Sequence, residues 1–493
     1  MGAPRGGGAG HRSPDGATAE PSPSSRGAHD GVSGGYYPPE RPLLQQRVRE
    51  AEPPGSQARS PEASPAAVLA ALRAAGPAPR IAERRRLLAA LAAELARRSE
   101  AIVAAADADF GGRAAEDTLL GDVLVTVQAA RRARRWLRWW ARPRPVLAPL
   151  AFQPCLAWTE PVPKGVVGVM APWNYPIQLA LWPALEAVAA GNRVAIKPSE
   201  HTPRCAALLE EIVARAWGPG IVRVVQGDAT VAADFAAQPW DHLVFTGGTE
   251  TGRKVAGAAA PNLTPLTLEL GGQCAALVLP GARLDRAARA ILAAKALNAG
   301  QTCVAPDTVL LVGHSRDAFA GAARATGIVP ESRVAPWQAA RQARLSSGSE
   351  ALAEGPAGPP LRLGGDSGEE RFGPVLGVVQ CADLDAALGW LRARPAPLAL
   401  SLFGASRGEE ARIAAESRAG AIACGRALDH VGFPNLPFGG VGGSGHGRYH
   451  GVAGFAEFSD WRARVRHGPF ALARLLDPPR GDFARKLARR LLR

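Results

Sequence analysis

The sequence predicts an α/β protein: a doubly wound parallel sheet, a second α/β unit after it, and a small bridging element. Three observations carry this. The chain has 493 residues and is 47% hydrophobic, enough for two or three domains with a sizeable core. From Val166 onward, short β-branched runs alternate strictly with helical stretches. Such alternation implies parallel strands joined by crossover helices.

The elements follow in order. Residues 1–62 are Gly, Pro, Ser and Arg without periodicity, with seven Arg against seven acids. That composition buries too little surface to offset its ordering entropy, so the segment is expected to be disordered. Residues 82–107 carry apolar side chains at three- and four-residue spacing and predict one or two amphipathic helices. Residues 121–140 predict another, with Arg clustered around Trp136, Trp139 and Trp140. A nucleic-acid stripe is one reading of that helix. The reading adopted is a buried face bearing the Trp residues and a solvated Arg face.

Strands are predicted at 166–170, 193–198, 222–227, 242–247 and 266–272, with helices between them. Residues 165–185 lack charge and are long enough to cross a bilayer. Pro172, Asn174, Pro176 and Pro183 interrupt them, so a strand, a turn and a buried helix are expected instead. The second unit has a helix at 284–298, a loop to 307, and strands at 308–312, 372–380 and 398–404, with a helix from Asp383. Residues 327–371 are poor in pattern, and 434–447 read as a Gly-rich surface turn. At the end, Phe483, Leu487 and Leu491 share one face of a basic helix, which either docks on the protein or rests weakly on a membrane surface.

The formal net charge of +14 first suggests nucleic acid. Residues 131–144 and 462–493 together hold more than the whole excess, which leaves the rest about neutral and argues against a nucleic-acid face. Six cysteines lie far apart, with no CxxC and no zinc spacing, and predict reduced thiols, a cytoplasmic location and no metal site.

In a doubly wound sheet, ligands sit past the carboxyl ends of the strands. Chemistry is therefore sought at 172–174, 197–200, 246–252 and Glu269–Gly272. The GxGxxG fingerprint is absent; Gly247, Gly248 and Gly252 form a weaker turn at a strand-to-helix junction, suited to a phosphate. Cys303 lies in a polar loop rather than on an apolar face, as a nucleophile would. It follows a helix C-terminus, where the dipole disfavours a thiolate, so another group must activate it. Glu269, at the end of a predicted strand, is the candidate base. Cys155, Cys205, Cys274, Cys381 and Cys424 read as structural.

APWNYP (171–176), IKPSEHTP (196–203), FTGGTETGRKV (245–255), LELGG (268–272), NAGQTCVAPD (298–307), FGPVL (372–376) and PNLPFGGVGGSGHGRYHG (434–451) together resemble the signature blocks of the NAD(P)-dependent aldehyde dehydrogenases. The resemblance runs from about 66 to 475, is nearest the class 3 branch, and within it the bacterial coniferyl aldehyde dehydrogenase group. It implies an NAD(P)-binding domain from 66–145 and 161–270, and a catalytic domain from 271–451. Residues 146–160 and 452–493 would bridge or oligomerise. It implies that Cys303 attacks the aldehyde carbon, that Asn174 and the Cys303 N–H hold the oxyanion, and that Glu269 activates water. Trp173, Lys197, Ser199, Glu200, Gly247, Gly248, Gly252, Glu370 and Phe372 would bind the cofactor. Glu200 favours the 2′-hydroxyl of NAD, with NADP also accepted in this branch, and a homodimer is implied.

The chain departs from the family pattern in places. Cys303 and Glu370 are 67 residues apart, shorter than usual, because of the region 327–371. EEIFGP has become EERFGP, with Arg371 at an apolar position, and LELGG is followed by Gln273. The competing readings are a dinucleotide-binding member with weak or no turnover and a cofactor-free thiol esterase using Cys303.

Overall fold

The computed structural model describes residues 64–492 except 150, 151, 354, 356, 357, 470–473, 475, 476 and 479. The expectation for 1–62 lies outside the described residues.

The first sheet has six strands. Spatially they run Gly445–His446, Leu266–Leu270, His242–Gly247, Val166–Met170, Arg193–Lys197 and Val222–Val224. All pairs are parallel except the short first strand, which runs antiparallel to Leu266–Leu270. Helices cover both faces, so strands such as VVGVM are buried throughout. On one face Val167, Val169, Val194 and Ile196 meet Leu88, Leu91 and Leu95 of helix Ile81–Arg97, and Val127 and Leu137 of helix Val125–Trp140. The other face packs Leu243 and Phe245 against Leu69, Leu72, Phe235 and Val255. Val166–Met170, the first strand of this sheet in chain order, lies between the second and the fourth, so a crevice opens past its end. Trp173 and Asn174 follow that strand, and Gly247 and Gly248 close the strand beside it.

The second sheet has seven strands: Glu350–Ala353, Leu361–Gly364, Val375–Cys381, Thr308–Val312, Ala275–Val278, Ala399–Phe403 and Ala421–Cys424. All are parallel except Glu350–Ala353. It too is covered on both faces, by Ile291 and Phe319 on one and Leu388 and Ile413 on the other. The molecule is thus α/β with two doubly wound sheets. A third, antiparallel sheet joins Arg144–Val146, Cys155–Pro163 and Ser459–His467.

Some elements match the sequence expectations and others correct them. The helix Gln178–Ala190 is buried along its whole length, Pro183 included, in line with the buried helix expected there. Residues 82–107 form two helices, Ile81–Arg97 and Ser99–Phe110. The helix expected at 121–140 begins with a π-helical turn, Leu119–Leu124. Its buried face carries Trp140 alone of the three Trp. Trp136 is half-buried and Trp139 is 49% exposed, because 100° per residue turns them off the apolar stripe. Their rings meet edge to face, with Arg132 over one and Arg142 over the other.

The region 327–371 is not patternless. It contains helix Ala339–Ser346 and two four-residue strands, too short to show a period. The Gly-rich stretch 434–447 is not simply a surface turn: Phe438, Ser444 and Gly445 are buried, and Gly445 pairs with Glu269.

Candidate active site

Cys303 is set by a strained approach. The helix Leu284–Ala296 ends, and Asn298, Ala299 and Gly300 then take left-handed backbone angles, with φ of 50°, 53° and 75°. For the two non-glycine residues this costs about 1–2 kcal/mol each. Buried hydrogen bonds fix the turn. The Asn298 N–H donates to Asp117 at 2.9 Å, and its side-chain amide donates to the Asn174 carbonyl at 2.9 Å. The Gln301 amide donates to the Asn298 carbonyl at 2.9 Å and accepts from the Ala335 N–H at 2.8 Å. A Cβ at residue 300 would stand 2.2 Å from the Gly373 carbonyl, so this position admits only glycine.

The turn delivers Cys303 to the junction of two cavities. One, of about 250 Å³, is the crevice past the first sheet, lined by Trp173, Asn174, Gly247, Gly248, Glu269, Glu370 and Phe372 among others. The second, of about 560 Å³, is mostly apolar, with Leu120, Val125, Leu179, Val431, Phe433 and Phe438 in its wall. Cys303 and Phe438 line both.

Asn174 is buried, and its side-chain amide donates to the Gln301 carbonyl at 3.0 Å. An amide carries two hydrogens, so a second donor remains. Glu269 is buried beside Gly439, and neither of its carboxyl oxygens has a hydrogen-bond partner among the described residues. Burial holds its pKa well above the ordinary carboxylate value. Burial also pushes the Cys303 thiol up, assisted by the charges of Cys274, Glu370 and Glu269. In both groups burial favours the neutral form over the charged one. The Cys274 thiol packs 3.2 Å from the Cys303 carbonyl, nearer the site than a purely structural reading of that residue suggests.

Glu370 lies against Gly271, where a Cβ would stand 2.2 Å from its carboxyl, and burial raises its pKa to about 7. Phe372, at a φ of 48°, meets Trp173 edge to face at 5.7 Å. Trp173 in turn packs on Phe110 and Trp337. Lys197 closes its strand and pairs with Glu200 at 3.0 Å, while Ser199 accepts from the His201 N–H. These three occupy the carboxyl edge of the first sheet and are not among the residues lining the two cavities. Gly247 and Gly248 line the crevice at the start of helix Thr249–Ala259, and open space surrounds the position where a Gly248 side chain would be. Gly252 faces Leu270 instead: a Cβ there would meet its side chain at 2.6 Å, so this glycine lets helix and sheet approach.

Sequence reasoning missed three acids. Asp109 accepts from the N–H groups of Arg204 and Cys205, at the start of helix Pro203–Ala216. Asp117 holds the Asn298 N–H. Asp122 accepts from Ile177 and Gln178, at the start of the buried helix after Asn174, and pairs with buried Arg113 at 2.9 Å. All three lie in the stretch around ADFGGRAAEDTLLGD, where polar residues inside an otherwise apolar helical pattern are the readable signal.

The sequence model of the aldehyde dehydrogenase family matches residues 52–326 and 367–463. The chain belongs to the aldehyde dehydrogenase family. It is 37% identical over 443 residues to a probable coniferyl aldehyde dehydrogenase of Pseudomonas aeruginosa, spanning 85% of this chain and 93% of that one. Among solved structures, the substrate-bound state of Staphylococcus aureus AldH superposes with a TM-score of 0.77 at 30% identity, over 84% of this chain and 95% of that one. PnpE from Pseudomonas sp. WBC-3, in complex with nicotinamide adenine dinucleotide, gives 0.72 at 27% identity, over 83% and 89%. The stretch between the two matched segments, 327–366, coincides with most of the shortened region.

Proposed function

We propose that this aldehyde dehydrogenase oxidises a hydrophobic or aromatic aldehyde to its carboxylic acid, with NAD or NADP as the cofactor, through a covalent intermediate on Cys303. The observation that carries the reading is the placement of Cys303 at the junction of two cavities, with Glu269 and Asn174 in the wall of one of them. The crevice suits a dinucleotide: glycines open the start of a helix, where the dipole favours phosphate, and an unpartnered buried carboxyl faces it. Trp173, Gly247, Gly248, Glu370 and Phe372 would hold the nicotinamide and diphosphate. Lys197, Ser199 and Glu200 would take the adenosine ribose, and Gly252 would let the helix approach.

In this mechanism ionised Glu269 takes the Cys303 thiol proton and passes it to solvent water, and the sulfur bonds to the aldehyde carbon. The carbonyl electron pair moves to oxygen. The second amide hydrogen of Asn174 and the Cys303 N–H stabilise that oxyanion. A bound nicotinamide, held by Trp173, Glu370 and Phe372, would supply the acceptor for the hydride of this carbon. A thioester is left on Cys303. Glu269, deprotonated, takes a proton from water as the water oxygen attacks the thioester carbon; the carbon–sulfur bond breaks, and the acid leaves.

The larger cavity supplies the substrate class. Its apolar wall fits an aryl or alkyl aldehyde, and coniferyl aldehyde, the substrate named for the Pseudomonas relative, is the first to test. The three sheets would divide the work: cofactor, catalysis and assembly. Val146, Leu147, Leu156 and Val465, exposed on or beside the third sheet, would be covered by a second copy in a homodimer. Six free thiols fit a cytoplasmic location. No helix among the described residues is long and apolar enough to cross a membrane. The test is NAD and NADP reduction with a panel of aldehydes. Ester cleavage without cofactor dependence, or cofactor binding without turnover, would overturn the proposal.

A further inference from the structure

We propose that Arg341 binds the phosphates of the dinucleotide and, through the same guanidinium, positions Glu370 and Phe372. The inference rests on the cofactor reading above. It concerns a residue in 327–366, the stretch outside the family match.

Arg341 stands on helix Ala339–Ser346 and lines the 250 Å³ crevice. Among the described residues of that lining it is the one cation, facing the acids Glu269 and Glu370. A dinucleotide brings two phosphate charges into this space. The start of helix Thr249–Ala259 supplies partial positive charge at Gly248, and Arg341 supplies the full one. Its side chain is about one-third exposed, so it is accessible yet less screened than a surface arginine.

The same group grips the neighbouring loop. One terminal nitrogen donates to the Arg371 carbonyl at 2.8 Å, and the other donates to the Glu370 carbonyl and lies 3.4 Å from the Glu369 carboxylate. A guanidinium has five N–H groups, so donors remain for a phosphate oxygen. The next residue, Gln342, donates to the Arg371 carbonyl at 2.7 Å and the Phe372 carbonyl at 3.2 Å. From the opposite side Arg371 is anchored on buried Asp307, by its N–H at 2.7 Å and its side chain at 2.8 Å. Glu370 and Phe372 thus hang between two polar clamps. One clamp borders the crevice where a phosphate would lie, and the other is fixed in the core of the second sheet.

The experiment is titration of the full-length protein with NADH at several salt concentrations, read by fluorescence or calorimetry without substrate. Arg341→Ala is expected to weaken NADH binding about ten-fold or more and to flatten its salt dependence. Arg341→Lys should keep most of the salt dependence, because it keeps the charge, while losing the fork that holds the two carbonyls. Arg341→Gln should behave like Arg341→Ala. The KM for NAD should rise more than that for the aldehyde. Thermal melting accompanies each titration, and if Arg341→Ala fails to fold, the Lys and Gln variants decide. Unchanged NADH affinity and salt dependence in folded Arg341→Ala or Arg341→Gln would overturn this inference alone. Failure of the wild-type protein to bind NADH would overturn the cofactor reading and this inference with it.

Discussion

The Asn174 side-chain amide donates to the Gln301 carbonyl at 3.0 Å, which ties the loop after the first strand of the crevice to the residue two before Cys303. That bond orients the amide so that its second hydrogen is free for a developing oxyanion. Asn174→Ala is therefore expected to lower kcat by roughly 10²–10³-fold, ~2.7–4 kcal/mol of transition-state stabilisation. Steady-state kinetics checks this. A change confined to KM would mean that Asn174 acts on the ground state only.

Cys303→Ala is expected to abolish aldehyde oxidation while NADH binding survives, since the crevice keeps its other walls. Retained turnover would remove the covalent mechanism. The wild-type pH dependence follows from the same site. Both the Cys303 thiol and the Glu269 carboxyl are held above their ordinary values by burial. Each works deprotonated, and a raised pKa keeps the protonated form dominant to higher pH. Alkylation of Cys303 by iodoacetamide, and kcat/KM, should therefore climb as pH rises from neutral into the alkaline range. An alkylation rate that is flat or falls with pH would contradict this.

The sheets were legible because buried parallel strands are unbroken apolar runs, as in VVGVM and TVLLV, and each is followed by a helical period. The loop of the proposed nucleophile stands out in the sequence because Cys303 breaks from that pattern among polar neighbours. The supporting acids were not. Asp109, Asp117 and Asp122 act on backbone N–H groups from 55 to 181 residues away, and sequence spacing carries no trace of such partners. The place of Arg371 at an apolar position has the same explanation, since its partner Asp307 is 64 residues earlier.

Asp117 gives a direct test of the strained turn. Its carboxyl accepts from the Asn298 N–H and from the Ser332 hydroxyl. Asp117→Ala leaves a buried N–H unpaired beside two left-handed residues, a loss of about 1–3 kcal/mol. A lower melting temperature is expected, together with reduced kcat and slower Cys303 alkylation. Unaltered melting and kinetics would show that the turn holds itself.

Acid stability should be set partly by buried histidines. His242 and His450 are fully buried, and desolvation lowers each pKa from 6.5 to about 3. The unfolded chain then binds more protons than the folded one between those values, so stability is complete above pH 6.5 and falls as pH drops toward 3. The loss is about 2 kcal/mol per histidine by pH 5. His450 stacks on Trp182 at 3.8 Å, and neither of its ring nitrogens has a hydrogen-bond partner among the described residues. His450→Phe keeps the stack and removes the titration. Its melting temperature should fall less than that of the wild-type protein between pH 7 and pH 5. Parallel profiles would place the acid sensitivity elsewhere.

The C-terminal helix, Asp482–Leu491, buries Ala484 and half-buries Leu487 but leaves Phe483 60% exposed. Lys486 and Arg490, three and seven residues on, share its helix face, and Arg485 and Arg489 add positive charge on the other side. The helix is far too short and too charged to span a bilayer. A residue so apolar at the edge of a basic helix suits an anionic membrane surface, where each base is worth about 1 kcal/mol and the four together ~4 kcal/mol. Screening within a Debye length of about 8 Å makes such attraction salt-reversible. The full-length protein is expected to sediment with vesicles containing anionic lipid at low salt and to release at high salt. Truncation at Gly481 should abolish sedimentation without changing aldehyde oxidation. If the full-length protein stays in the supernatant at low salt, the helix is a docking element for the body of the protein, and truncation should then lower the melting temperature instead.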